Sequence, residues 1–320
     1  MEQDEGKMME KQPLVSVIMP CYNGEKFIGE AIESVINQTC KNWELIVVDD
    51  GSTDNSKEII RQYCIADKRI QYIQHKKNKG IPFARNTGIR ASKGEYIALL
   101  DQDDKWLSNK LDLQLDKFYM SKPEIGLVFG NINIIDSYGC LIYKSKNIKI
   151  NFAKINQRDL VRHLFLNCFI PSITVMFKRK CIKEVGGFDE NILWGGDDYE
   201  LWLRLANKFK FAYINKVLGI RRLHRNNYSA TERMIRGQMQ LIEEVVKKYH
   251  FLNKYKQKSI AQRLYQLGRY KQLIGNFAEA KKIYLKAFST CVNVGWKPYI
   301  AFLFVLFKIK FNYKRIKYLK

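Results

Sequence analysis

The chain has 320 residues, 46% of them hydrophobic, enough for one large domain with a substantial core and a smaller appendage. Lys and Arg outnumber Asp and Glu by 55 to 32, a formal net charge of +23, so an anionic partner is expected. Its seven cysteines are scattered and form no Cys-x-x-Cys pair, which excludes a disulfide framework and a structural zinc site, and no apolar run reaches the roughly 18 residues of a spanning helix.

Residues 1–12 form a polar tail without the apolar core of a secretory leader, so a cytoplasmic location is expected. Leu14–Met19 is a short β-branched run of the kind found in buried parallel strands. Lys26–Gln38 has helical periodicity, with Phe27, Ala31, Ile32, Val35 and Ile36 on one face. Trp43–Val48 predicts a strand, Asn55–Cys64 a helix, Ile70–Gln74 a strand, Pro82–Ala91 a helix and Glu95–Leu100 a strand. This β-α-β-α order predicts an α/β fold with a mostly parallel sheet and helices on both faces. Ile125–Asn131 and Ser172–Phe177 are further predicted strands. Lys144–Lys154 is a basic loop or hairpin, and Tyr199–Lys208 is a helix. From about Met234 helical periodicity takes over, and Leu264–Phe288 resembles one tetratricopeptide-type hairpin turning at Gly275-Asn276. The predicted division is a tail at 1–12, an α/β domain at 13–233 and a helical region at 234–320.

In open α/β sheets ligands bind beyond the carboxyl ends of the strands. The segments there are Pro20-Cys21-Tyr22-Asn23, Asp49-Asp50-Gly51-Ser52 and Asp101-Gln102-Asp103-Asp104. Carboxylates on the second can accept from a base N–H or a ribose hydroxyl; read alone, it is equally a plain strand-to-helix turn. The third packs three carboxylates into four residues. Such a group is stabilised by a cation, and Mg²⁺ or Mn²⁺ takes oxygen ligands together with substrate phosphates. Asn78–Asn86 places Lys79, Arg85 and Asn86 about a helix start, where anions bind. Gly195-Gly196-Asp197-Asp198 puts two acids at another helix start behind a Gly-rich lead-in, suited to a general base for a hydroxyl; the alternative is a flexible N-cap. Arg221–Ser229 is a donor-rich loop able to close over phosphates, or an ordinary basic surface. The four histidines have no zinc spacing, and no Walker-type or Gly-x-Gly-x-x-Gly loop occurs.

Four motifs, VSVIMPCYNGEKFIGEAIESVINQT (15–39), WELIVVDDGSTDNS (43–56), NKGIPFARNTGIRASKGEYIALLDQDD (78–104) and GGFDENILWGGDDYELWLRL (186–205), resemble those of the inverting glycosyltransferases of family 2, which have the GT-A fold. The resemblance implies a nucleotide-sugar site formed by Pro20, Tyr22, Asn23, Asp50, Gly51, Arg85, Asn86, Asp101 and Asp103. In it Pro20 and Tyr22 line the base pocket and Asp50 reads a uracil edge. It further implies metal binding at Asp103 and Asp104, catalysis by Asp197 and Asp198 with Asp198 favoured as the base, and a loop around Arg221 and His224 over the donor. The family usually carries Glu-Asp where this chain has Asp197-Asp198. The implied reaction moves a sugar, most simply from a UDP-sugar, to a saccharide or lipid-linked saccharide in cell-surface polysaccharide synthesis. Transfer to a polyprenyl phosphate and an inactive scaffold are the alternatives.

Gly295–Lys320 is an apolar run followed by Lys308, Lys310, Lys314, Arg315, Lys317 and Lys320, the composition of a helix lying on an anionic membrane. Peripheral attachment to the inner face of the cell membrane is therefore expected, with a core helix and solvated tail as the alternative. No recognition motif accompanies the positive charge, so no specific nucleic-acid partner is expected. The oligomeric state is not readable from the sequence.

Overall fold

The computed structural model describes residues 13–121, 124–144, 147–193, 195–224, 232–292 and 296–306. The tail at 1–12, the stretch 225–229 of the donor-rich loop and the basic residues beyond 306 lie outside the described residues.

The predicted α/β architecture is present. The first four strands are β1 (Val15–Cys21), β2 (Trp43–Asp49), β3 (Ile70–Gln74) and β4 (Tyr96–Leu99). Helices α1 (Ile28–Ile36), α2 (Ser56–Ala66) and α3 (Ile81–Ala91) connect them. These strands run parallel in the order β3-β2-β1-β4, with Cys21 level with Asp49 and Asp49 level with Gln74. Their carboxyl ends therefore share one rim.

Alternation fixes which side each residue faces. Ile18 of β1, Ile46 and Val48 of β2 and Ile97 and Leu99 of β4 enter one core. Val17, Met19, Leu45, Val47, Tyr96 and Ala98 enter the other. A one-residue slip would move every one of them to the opposite face. Each fully buried Ile, Leu or Val side chain contributes about 1.5–3 kcal/mol, so both packed faces hold the register.

Beyond β4 the sheet becomes mixed. β5 (Lys105–Trp106), β6 (Ile125–Asp136), β7 (Leu141–Lys144), β8 (Met176–Lys178) and β9 (Lys210–Leu223) complete it. β8 pairs antiparallel with both β4 and β6, β9 runs parallel to β6, and β5 lies antiparallel on β9. Antiparallel neighbours need no crossover helix, so the βα rhythm that reveals the first half fades here. Ser172–Thr174, read from the sequence as strand, is a short 3₁₀ turn leading into β8. The hairpin partner of β6 is β7, ahead of the basic loop in which a hairpin was expected.

Helices α4 (Lys110–Tyr119), α5 (Gln157–Leu166), α6 (Arg179–Val185) and α7 (Asp197–Lys208) flank the sheet. α4 joins the core of α1, whereas α5, α6 and α7 join that of α3. The C-terminal region holds α8 (Glu232–Lys248), α9 (Lys256–Leu273), α10 (Phe277–Thr290) and α11 (Trp296–Leu306). The α9–α10 hairpin turns at Gly275, whose φ of 85° suits glycine. A Cβ on Gly268 would lie 2.6 Å from the Tyr284 ring, so only glycine lets the two helices approach this closely. A lone hairpin cannot bury its own face. Here α9 packs on α8 and α5, and α11 covers α10 through Ala301 and Val305.

Candidate active site

The first two loops at the rim are clipped together. Asn23 N donates to Ser52 Oγ, Gly24 N to Ser56 Oγ, Glu25 N to an Asp54 oxygen and Thr53 N to Asn23 Oδ1. Asn23 holds a positive φ of 50°, a conformation Asn tolerates better than most residues. The third loop joins through Gln102, whose amide accepts from Tyr22 N at 2.7 Å and donates to Tyr22 O at 3.0 Å. This clamp fixes the backbone of Tyr22 while its ring stays exposed. Pro20 is buried within β1.

Asp49 and Asp50 are buried and occupied. Asp49 accepts from Ser52 N and from Tyr72 Oη. Asp50 pairs with His75 Nδ1 at 2.7 Å and accepts from Lys79 N and Gly80 N. His75 reaches Thr87 Oγ1 through its other nitrogen. Gly51 sits at φ 79°, where a Cβ would meet the Lys77 backbone at 2.9 Å. Asp50 thus ties the β2 turn to the loop that starts α3. Expected at a uracil edge, its carboxylate is placed against the chain's own donors.

Arg85 of α3 is the hub of the site. Buried, it donates from Nη1 to Asp197 at 2.8 Å and from Nη2 to Asp101 at 2.9 Å. Burial alone would weaken its charge, but the Asp101, Asp197 and Asp198 carboxylates outweigh that and hold it protonated. One side chain therefore joins the end of β4 to the start of α7. Asn86 faces elsewhere: its amide bonds the Phe188 backbone in both directions and donates to Glu190. It secures the turn before α7.

Asp197 and Asp198 open α7 behind Gly195 and Gly196, both at positive φ. Burial pushes Asp197 up to about 6; Arg85 pulls it down and Asp198 raises it. Asp198 is also raised, by burial first, against the pull of Arg85. Its carboxylate accepts from Tyr199 N at 2.7 Å, and it is in no ion pair among the described residues, whereas Asp197 is paired with Arg85.

Asp103 and Asp104 part company. Asp104 is buried and accepts from Arg222 N at 2.8 Å; burial, then Asp103 and Asp101, push its pKa well above the usual carboxylate range. It braces β9. Asp103 is partly exposed, and its Oδ2 lies 2.8 Å from His224 Nε2. Arg222 stabilises this arrangement, donating to Asp103 O and Glu30, while the His224 ring packs 5.0 Å from Phe27. Among the described residues no three His, Cys, Asp or Glu side chains converge on one point. A carboxylate beside an imidazole still fits Mn²⁺ or Mg²⁺ shared with a ligand's phosphates, for such ions take few protein ligands.

The sequence motifs held most of these residues but concealed their partners. His75, Arg222, Glu30 and Phe27 were not singled out as site residues. Gln102 stood unremarked inside the acidic cluster, although its place beyond a buried strand was a usable signal.

Residues 16–186 match the family model described as Glycosyl transferase family 2. The chain is 30% identical over 242 residues to the putative teichuronic acid biosynthesis glycosyltransferase TuaG of Bacillus subtilis, covering 75% of this chain and 91% of TuaG. It is 35% identical to the Escherichia coli UDP-Glc:alpha-D-GlcNAc-diphosphoundecaprenol beta-1,3-glucosyltransferase WfgD, covering 63% of this chain and 73% of WfgD. Among solved structures, the mannosyltransferase PcManGT of Pyrobaculum calidifontis, in complex with GDP-Man and Mn²⁺, has the same fold. Its TM-score is 0.59 at 17% identity, covering 96% of this chain and 88% of that one.

Proposed function

The chain belongs to glycosyltransferase family 2, and on that premise we propose that it transfers a sugar from a UDP-sugar to a hydroxyl of a saccharide or lipid-linked saccharide in cell-surface polysaccharide synthesis. The observation that carries the site assignment is Arg85 bridging Asp101 and Asp197. Through α3 it draws the acidic turn after β4 and the acid pair of α7 to one rim. The UDP donor and the lipid-linked acceptor are supported by the likeness to WfgD.

Tyr22, held by Gln102, offers its exposed ring to the base, and Asp50, in the turn after β2, acts by fixing the loop between β3 and α3. Asp103 with His224 would hold a divalent cation, which when bound neutralises charge on the diphosphate leaving group. Arg85 keeps Asp101 and Asp197 in register, and Arg221 lies close enough to Asp198 to favour its charged form. Asp198 takes the proton of the acceptor hydroxyl. The freed oxygen attacks the anomeric carbon, the bond to the diphosphate oxygen breaks, and configuration inverts in one displacement.

We assign 13–233 to transfer and 234–320 to a helical appendage. No described helix is long and apolar enough to cross a membrane. α11 exposes Tyr299, Ile300 and Leu303, and the sequence after it is basic, which supports contact with an anionic membrane surface. Deleting 296–320 tests this contact: unchanged sedimentation with acidic vesicles would move the anchor elsewhere.

A thermal-shift panel of nucleotide sugars with and without Mn²⁺, followed by UDP release with saccharide and polyprenyl-linked acceptors, tests the function. Metal-dependent stabilisation by a UDP-sugar is expected. Stabilisation by GDP-sugars alone would overturn the donor assignment, and binding without turnover on any acceptor would favour a scaffold.

A further inference from the structure

The carboxyl end of α5 is a junction of three helices. Phe165 O accepts from Tyr199 Oη of α7 at 3.2 Å and from Ser259 Oγ of α9 at 2.8 Å. The next carbonyl, Leu166 O, accepts from Arg263 Nη1 of α9 at 2.9 Å. Tyr199, Ser259 and Arg263 are each at most 1% exposed. The Arg263 guanidinium lies 5.5 Å from the centre of the Tyr199 ring.

Arg263 is an expensive residue for such a place. Guanidinium has five donors and stays charged, yet among the described residues Nε and Nη2 have no hydrogen-bond partner. As a helix cap alone, Ser259 already serves the same end of α5 with a neutral hydroxyl. A buried charge with few hydrogen bonds is destabilising unless an opposite charge shares its surroundings. Tyr199, on which Arg263 stacks, directly follows Asp198 and donates its backbone N–H to that carboxylate. Burial first, and then Asp198, push the Cys168 thiol up while Arg263 pulls it down, so one thiol feels both charges. α8 supports the same acid pair from its other flank: Leu241 and Gln238 crowd Gly196, where a Cβ would lie 2.9 Å from Leu241.

We propose that Arg263, which lies in α9 outside the segment matched by the family model, is a positioning residue for transfer: it holds Tyr199 against α5 and sets its buried positive charge near Asp198. The appended helices thereby take part in catalysis. Arg263 touches no reacting atom and acts through Tyr199 and through its field. The groups facing Asp198 are Asp197 beside it, Arg85 from α3, Asp101 from the β4 turn and Arg221 from β9; near the α5 end, the Cys168 thiol feels both Asp198 and Arg263. Removing the Arg263 charge makes Asp198 harder to ionise, so activity must need a higher pH.

The inference rests on Asp198 as the base, and the two fail differently. Transfer surviving in Asp198→Asn would remove that assignment whatever Arg263 does. The experiment measures kcat, donor KM and the acid limb of kcat against pH for full-length Arg263→Met and Arg263→Lys. Arg263→Met is expected to lower kcat about tenfold with donor KM within about twofold, and to move the acid limb up by about one pH unit. Arg263→Lys keeps the charge; its limb returns to the parent position while kcat stays about threefold low, because an ammonium lacks the planar fork. A Met variant of parent kcat, or one whose loss leaves the limb unmoved, overturns the proposal. If the Met variant does not fold, the Lys variant decides: parent kcat or a displaced limb overturns it.

Discussion

Acidic turns at the same rim have opposite characters. Asp49 and Asp50 are sealed: a tyrosine hydroxyl, a histidine and three backbone N–H groups occupy their oxygens. Asp103 and Asp198 are placed differently. The first is partly exposed beside His224, and the second is bonded by its carboxylate to the neighbouring backbone N–H. All three turns follow or precede regular elements at similar places, and in a string of letters they look alike. What separates them is the supply of donors nearby. A carboxylate facing several N–H groups becomes a bracket, whereas one facing few can hold a ligand or move a proton.

The comparison breaks most sharply at Asp198. Asp198→Asn keeps the volume and the helix start but removes the base, so transfer should fall about 10²–10⁴-fold with donor binding nearly intact. Single-turnover rates and a donor titration check both halves. In the parent enzyme the acid limb should lie above the ordinary Asp range, because burial raises both Asp197 and Asp198. Activity is then lost as pH falls through those raised values. Asp103→Ala comes next. Its carboxylate fits the cation, whose charge stabilisation amounts to several kcal/mol, so turnover should drop about 10³-fold. Mn²⁺ should no longer raise the melting temperature in the presence of UDP. Retained Mn²⁺ stabilisation would place the cation elsewhere.

Much of this is legible in the sequence. Short, near-continuous β-branched runs disclose β1 to β4, since parallel strands buried on both faces carry that pattern. The rule that ligands sit beyond strand ends then gathered Tyr22, Asp50 and Asp103 at one rim. The second half was less legible. β9, with exposed Asn215 and Lys216 near its middle, has no clean alternation, and α5 and α4 escaped detection. Site roles were hardest. Nothing in Asn86 or Asp104 betrays that one secures the Phe188 turn and the other takes Arg222 N, because those partners lie 102 and 118 residues away. Arg263 gave no signal at all, standing in a helix that reads as an ordinary hairpin.

Asp50→Asn tests the sealed turn and should affect stability more than chemistry. The amide oxygen can replace one acceptor, but its NH₂ faces donors, so about 2–3 kcal/mol of stability should be lost. By the thermal scale for domains of this size that is a fall of roughly 4–12 °C, read by calorimetry. Donor affinity should weaken only as far as the loop from Lys77 to Gly80 loosens. If Asp50→Asn instead kept parent stability and lost UDP affinity alone, Asp50 would belong with the accessible acids.

The smallest effect sharpens the comparison furthest. Tyr72→Phe removes only the hydroxyl that donates to Asp49 Oδ2 at 2.6 Å. The ring stays in β3, next to Val47 in the register, so packing is unchanged. Asp49 retains the Ser52 N–H on its other oxygen and remains buried. One unmade bond to a charged acceptor costs about 1.5–3 kcal/mol, at the upper end where no water replaces the hydroxyl. The Tyr hydroxyl is itself part-buried, which admits a replacement water and argues for the lower end. Chemical denaturation should therefore show a lowered midpoint with an unchanged slope, while kcat at saturating donor stays within about twofold of the parent. A large fall in kcat with unaltered stability would mean that Asp49 reaches the reaction, and the division between sealed and accessible carboxylates would have to be redrawn.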